Sequence, residues 1–149
     1  MKLSNLHFSI IIPVYNRPNE IDELLESLTK QDFSKYYEIL IIEDGSTEKS
    51  NLIVEKYEAV LDLKYFFKEN SGAGASRNFG MQKATGSYFI ILDSDVIMPT
   101  QYLSEVKKAL ETNFTDAFGG PDAAHKSFTS LQKAINYSMT SVLTTGGIR

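Results

Sequence analysis

Asp93 and Asp95 stand two residues apart where the apolar run SYFIIL, residues 87–92, gives out. Two carboxylates so spaced can hold a hard cation, because Mg²⁺ and Mn²⁺ take one or two carboxylates and fill their other positions with phosphate oxygens and water. The chemistry they suggest is a metal-bridged diphosphate. Glu43 and Asp44 close an earlier run, YEILII at residues 37–42, where carboxylates more naturally accept hydrogen bonds from a base N–H or from ribose hydroxyls. Arg77 lies in a glycine-rich stretch, NSGAGASRNFG, that begins at Asn70. Its forked guanidinium can grip a phosphate or a base carbonyl as a lysine cannot. Each has a plainer alternative: Glu43, Asp44 and Ser46 as a turn and cap, Arg77 as half of a surface ion pair. Two acidic clusters on adjacent loops favour a ligand. His7 and His125 have no partner at metal-ligand spacing and are assigned to packing or solvent.

These residues act together only if the fold brings them to one edge. FSIIIPVYN, residues 8–16, is a β-branched run that stops at a proline and a polar turn, which reads as a strand buried on both faces and ending near Val14. From Pro18 the apolar positions Ile21, Leu24, Leu25 and Leu28 mark an amphipathic helix, with Asn16 as its cap. Residues 37–42 form the second strand, and Thr47 is placed to cap a helix carrying Leu52, Ile53, Tyr57 and Val60. Residues 63–67 give a third strand, the segment from Asn70 a small-residue helix, and residues 87–92 a fourth strand. Pro99 opens a helix with Tyr102, Leu103, Val106 and Leu110 on one side. DAFGG, residues 116–120, suggests a fifth strand, and residues 127–143 a last helix.

Strands alternating with helices of this length predict an α/β fold, a doubly wound and mostly parallel sheet with helices on both faces. In such sheets ligands bind beyond the carboxyl ends of the strands, the ends that carry residues 13–17, 43–46, 70–74 and 93–95. Tyr15 follows a strand at that edge, whereas Tyr57, Tyr65 and Tyr88 belong by spacing to the core.

Composition narrows the function further. With 149 residues, 42% of them hydrophobic, the chain is long enough for one domain with a full core. Its net charge of −4, without a block of like charges, gives no basic surface for nucleic acid. The absence of cysteine removes disulfides, thiolate zinc sites and thiol nucleophiles together. No apolar stretch reaches the roughly 20 residues that cross a bilayer, and no secretory leader is recognisable, so the default location is the cytoplasm. The end at TTGGIR, with turn glycines before a terminal arginine, has the character of a fragment.

The series SIIIPVYNR, IIEDGS, NSGAGASRNFG and ATGSYFIILDSD, in this order, resembles the family 2 glycosyltransferases of the GT-A fold, with weaker support from GGPD and TTGGIR. The resemblance implies a nucleotide sugar, usually a UDP-sugar, bound across the strand ends with Mg²⁺ or Mn²⁺. It implies that Pro13, Val14, Tyr15 and Asn16 line the base pocket, that Glu43 and Asp44 contact base and ribose, and that Arg77 reaches the nucleotide. Asp93, Ser94 and Asp95 are similar to the family's DXD element, Asp93 facing ribose or metal-bound water and Asp95 ligating the metal directly. The family usually has Asp-Asp where this chain has Glu43-Asp44, which leaves base preference open.

The family reaction inverts the anomeric carbon and needs a carboxylate base well after the DXD element, which is expected beyond Arg149. Asp116 and Asp122 are the remaining aspartates, both close to the expected fifth strand. The implied behaviour is a chain that binds metal and nucleotide but transfers sugar poorly. The implied acceptor is a saccharide or lipid-linked molecule, as in polysaccharide or glycolipid assembly, met at the inner face of the membrane by the full-length protein. Two rival enzymes share an Asp-x-Asp pair: a haloacid-dehalogenase-like phosphohydrolase with Asp93 as nucleophile, and a sugar nucleotidyltransferase. The motif comes after three strands rather than first, against the former, and Pro13, Tyr15 and Asn16 stand where the latter has a glycine-rich loop. A nucleotide-binding module without catalysis of its own is the third alternative.

Overall fold

The apolar runs become four strands of one parallel sheet. In the computed structural model, which describes residues 6–119 and 129–141, β1 (Phe8–Val14), β2 (Tyr37–Asp44), β3 (Leu63–Lys68) and β4 (Tyr88–Ile91) lie in the order β3-β2-β1-β4. Ile10 pairs with Ile39 on one side and Ile90 on the other, and Asp44 with Lys68. Every residue of β1 is buried. That burial requires cover on both faces, because successive side chains of a strand point opposite ways.

The helices α1 (Pro18–Thr29), α2 (Asn51–Glu55), α3 (Ala73–Lys83) and α4 (Tyr102–Thr112) supply it. Phe8, Ile10, Ile12 and Val14 share one core with Ile21, Leu24, Leu25 and Leu28 of α1 and Leu103, Val106 and Leu110 of α4. Each such aliphatic side chain contributes about 1.5–3 kcal/mol by leaving water. Ile11, Leu40 and Ile42 face the other way, against Phe79 and Met81 of α3. The sheet is therefore doubly wound, with helices on both faces.

Pro13 sits inside the buried β1, where a missing N–H should break the ladder. It does not. The Leu92 N–H donates to the Ile11 carbonyl at 3.1 Å, so Ile11 addresses β4, and Ile11–Ile91 is the last paired couple on that side. Pro13, two residues on, faces the same way past the end of that ladder. The strand order also fixes where a ligand crevice must open. The chain runs from β1 to β2 to β3 in one direction and then returns to β4 on the far side of β1, so the sheet's switch point lies between β1 and β4.

Several expected elements are corrected. Asn16 does not cap α1: Arg17 holds that position, with no side-chain cap bond. Thr47 does not cap α2, which starts after Ser50 and spans only five residues, leaving Leu52 and Val60 exposed. α4 begins at Tyr102, preceded by a turn in which the Tyr102 N–H donates to the Pro99 carbonyl. Residues 116–119 form no strand. The chain divides into two units, Met1–Phe114 and Thr115–Arg149. In the second, α5 (Ser130–Thr140) starts at a capping box between Thr129 and Gln132. Asp122, His125, most of GGPD and TTGGIR lie outside the described residues, as do the outermost residues of the expected last helix. Among the described residues no helix is long and apolar enough to cross a membrane.

Candidate functional site

A cleft of about 270 Å³ opens at the β1/β4 switch point, lined by Pro13, Val14, Tyr15, Arg17, Asp44, Ala73, Asp93, Ser94 and Asp95. Four loops meet there. The β1–α1 loop brings Tyr15, half exposed, and Arg17; β2 ends on Asp44; the glycine-rich turn ends on Ala73, the first residue of α3; and the loop after β4 brings Asp93 to Asp95. The expected residues Asn16, Glu43 and Arg77 are not on this wall. Arg17 and Ala73, which lie in the strand-end segments 13–17 and 70–74 but had no role assigned, are.

Glu43 and Asp44 divide into two tasks. Glu43 is fully buried. Its Oε1 accepts the Ser46 hydroxyl, and its Oε2 accepts the Ser50 N–H at 2.8 Å and the Tyr65 hydroxyl at 3.2 Å. Its expected contact with base and ribose is thereby corrected: Glu43, unlike Asp44, is not on the cleft wall, and both its oxygens accept from groups inside the protein. Burial, then the Glu43 charge and hydrogen bond, raise the Tyr65 phenol, so Tyr65 stays a donor. Ser46 Oγ in turn accepts the Asn16 N–H at 2.8 Å. Asn16 takes a left-handed conformation, φ 52°, which asparagine tolerates better than most residues. Its Oδ1 accepts from the N–H groups of Thr47 and Glu48 at 2.8 and 3.0 Å. Glu43 and Asn16 thus brace the first two loops from behind the cleft.

Asp44 braces the third loop and reaches the cleft. Its carboxylate accepts from the Lys68 ammonium, the Ser71 N–H at 3.0 Å and the Gly72 N–H at 2.8 Å, while its carbonyl accepts from Asn70 Nδ2. Burial alone would raise its pKa, but the Lys68 ammonium and the Ser71, Ser76 and Gly72 donors outweigh that and hold it below the ordinary carboxylate value. Gly45, at φ 73°, is required for this contact: a Cβ there would lie 2.6 Å from the Asn70 nitrogen.

The two candidate metal carboxylates are open to solvent and each carries an arginine. Arg77 Nη2 lies 2.6 Å from Asp93 Oδ1, and Arg17 Nη1 3.0 Å from Asp95 Oδ2. Arg77 therefore reaches the site through Asp93. Among the described residues no three His, Cys, Asp or Glu side chains gather to hold a metal. Two exposed carboxylates do not make an all-protein cage. They do fit a hard cation that draws its remaining ligands from a diphosphate and water. Asp116, considered above as a base, is exposed in the second unit.

Residues 9–147 match the family described as Glycosyl transferase family 2. Among curated proteins, the poly(ribitol-phosphate) beta-N-acetylglucosaminyltransferase TarS of Staphylococcus aureus is 36% identical over 114 residues, covering 74% of this chain and 20% of its own length. The crystal structure of a TarS segment in complex with UDP-GlcNAc superposes with a TM-score of 0.70 at 32% identity, over 82% of this chain and 39% of that one. A Pyrobaculum calidifontis mannosyltransferase, solved with GDP-Man and Mn²⁺, shares the fold at TM-score 0.62 and 24% identity, over 70% of this chain and 31% of that one. The chain thus spans well under half the length of these relatives. A match that runs through all four strands and every cleft residue, rather than through one motif, places this chain in glycosyl transferase family 2.

Proposed function

We propose that the cleft takes the donor of an inverting glycosyltransferase, a UDP-sugar, with Mg²⁺ or Mn²⁺ at Asp95 and Asp93. The supporting observation is that Asp44, Asp93, Asp95 and Tyr15, contributed by three different loops, face one hollow at the sheet's switch point. Pro13, Val14, Tyr15 and Asp44 receive base and ribose, Asp44 as hydrogen-bond acceptor. Ser94 and Arg77 complete the nucleotide's surroundings, and Asn16 and Glu43 hold the walls in place. A divalent ion bound here would offset the charge that grows on the departing diphosphate.

The relative TarS, whose name pairs N-acetylglucosamine with poly(ribitol-phosphate), supports a polymeric acceptor; we propose a saccharide or lipid-linked acceptor, met by the full-length protein at the inner face of the membrane. The acceptor's hydroxyl must lose a proton as it attacks the anomeric carbon. We assign that general base to the part of the fold that this chain does not span, so the chain alone binds donor and transfers little. Family membership removes the ground from the phosphohydrolase and nucleotidyltransferase readings of Asp93 and Asp95. Calorimetry with UDP and Mn²⁺ tests the proposal: metal-dependent UDP binding is expected in the wild type and lost in Asp95→Ala. A wild-type chain that ignores UDP in the presence of Mn²⁺ would overturn it.

A further inference from the structure

Arg17 has no role in the reading above, yet it lines the cleft and occupies the carboxylate assigned to the metal. Its Nη1 lies 3.0 Å from Asp95 Oδ2 and 3.8 Å from Glu20 Oε1. The pair joins the loops after β1 and β4, the two strands that flank the switch point. We propose that Arg17 is an internal counter-cation, seated on Asp95 until a nucleotide diphosphate draws its guanidinium away, so that diphosphate and divalent cation enter the cleft as coupled events. The inference rests on the donor site proposed above and adds a residue that governs its loading.

Three observations carry it. First, Arg17 and Asp95 are both about half exposed, 47% and 53%, and ion pairs of such exposure are weak and readily exchanged. Second, a guanidinium has five N–H donors, and this ion pair uses one nitrogen of the fork. The rest suit a diphosphate, whose oxygens accept forked bonds well. Third, among the described residues the other cations that reach the cleft carboxylates are held more closely: Lys68 by the buried Asp44, and Arg77 by Asp93 at 2.6 Å against 3.0 Å for Arg17 and Asp95. A diphosphate entering among three carboxylates therefore meets Arg17 as the cation with the loosest attachment. Moving it leaves Asp95 with an uncompensated charge at the place where a divalent ion is needed.

The test measures binding of each component by itself. Mn²⁺ affinity is read without nucleotide, from the EPR signal of the free aqueous ion. UDP affinity is read without metal, by calorimetry in EDTA. Arg17→Gln is expected to bind Mn²⁺ alone about two- to fivefold more tightly, the competing ion pair being gone, and UDP alone about tenfold more weakly, a charged phosphate contact being gone. Arg17→Lys, which keeps the charge without the fork, falls between. Glu20→Gln, which changes a nearby charge but leaves Arg17 on Asp95, does not reproduce the gain in Mn²⁺ affinity. If the wild type binds UDP with Mn²⁺ but Arg17→Gln leaves both separate affinities unchanged, the counter-cation role is wrong while the donor site stands. If the wild type binds no UDP under any condition, both fall.

Discussion

Glu43 and Asp44 follow one another on a strand, and a strand sends neighbouring side chains to opposite faces, so one carboxylate points into the protein when the other points to the cleft. Glu43 took the inner place. Its removal should therefore register as lost stability. In Glu43→Ala the Ser50 N–H and the Ser46 and Tyr65 hydroxyls lose their acceptor, and each buried group left unpaired costs about 1–3 kcal/mol. A drop of roughly 3 kcal/mol or more is expected in urea unfolding, with part of it recovered in Glu43→Gln, which keeps one acceptor oxygen. An unchanged melt together with lost UDP binding would return the carboxylate to the cleft. The alternation that separates the two residues is visible in the sequence. Which of them faces inward is not, because that depends on where the half-buried Tyr65 and the buried Ser50 come to lie. Arg17 was harder to read: it directly follows Asn16, but its partner Asp95 is brought beside it only by the β1–β4 pairing.

At the level of the elements, the glycine-rich helix α3 is placed by what it lacks. A Cβ on Gly80 would lie 2.4 Å from Ile11 Cγ2 and 3.3 Å from Ile42 Cγ1, so the helix rests on β1 and β2 at a distance that only glycine allows. Ile11 and Ile42 are fully buried, and their branched side chains have little freedom to yield. Gly80→Ala should lift α3 from the sheet, cost about 1–3 kcal/mol in unfolding free energy, and carry Arg77 and the Ser71–Gly72 turn away from Asp93 and Asp44. Weaker UDP binding should accompany the lower stability; a variant as stable as the wild type would show that the contact relaxes freely. The long apolar strands β1 and β2 and the amphipathic α1 were legible because burial on both faces, or on one stripe, leaves a period in the sequence. The short α2 was not, since two of the four apolar residues that suggested its face, Leu52 and Val60, are exposed. Nor was Asn16, whose side chain resembles a helix cap by type but spends its oxygen on the neighbouring loop.

Seen as a whole, the sheet carries charge at both ends, and the end away from the cleft decides how the molecule meets acid. Glu38, fully buried, gathers Ser9 of β1, Lys64 of β3, and Thr85 and Gly86 ahead of β4. Its Oε1 accepts from Ser9 Oγ at 2.5 Å, the Thr85 N–H at 2.6 Å and the Gly86 N–H at 3.1 Å, and its Oε2 lies 2.6 Å from Lys64 Nζ. Burial pushes its pKa up, but the Lys64 ammonium, the Ser9 hydroxyl and the Thr85 donors prevail and bring it from 4.5 to about 2. A carboxyl with a depressed folded-state pKa binds its proton more weakly folded than unfolded. The stability it confers is complete above the unfolded value and is lost as pH falls from about 4.5 towards 2, an amount of about 3 kcal/mol. Asp44, depressed in the same direction, adds to the decline, so the contribution of Glu38 has to be isolated by difference. Urea unfolding of wild type and Glu38→Gln between neutral pH and pH 2.5 does this. The variant should be less stable at pH 7 and the gap should narrow steadily below pH 4.5, as protonation removes from the wild type the charge that the amide never had. A gap that stays constant across the range would mean that the folded-state pKa of Glu38 is not depressed, so that neither the Lys64 ammonium nor the Ser9 and Thr85 donors favour its charged form.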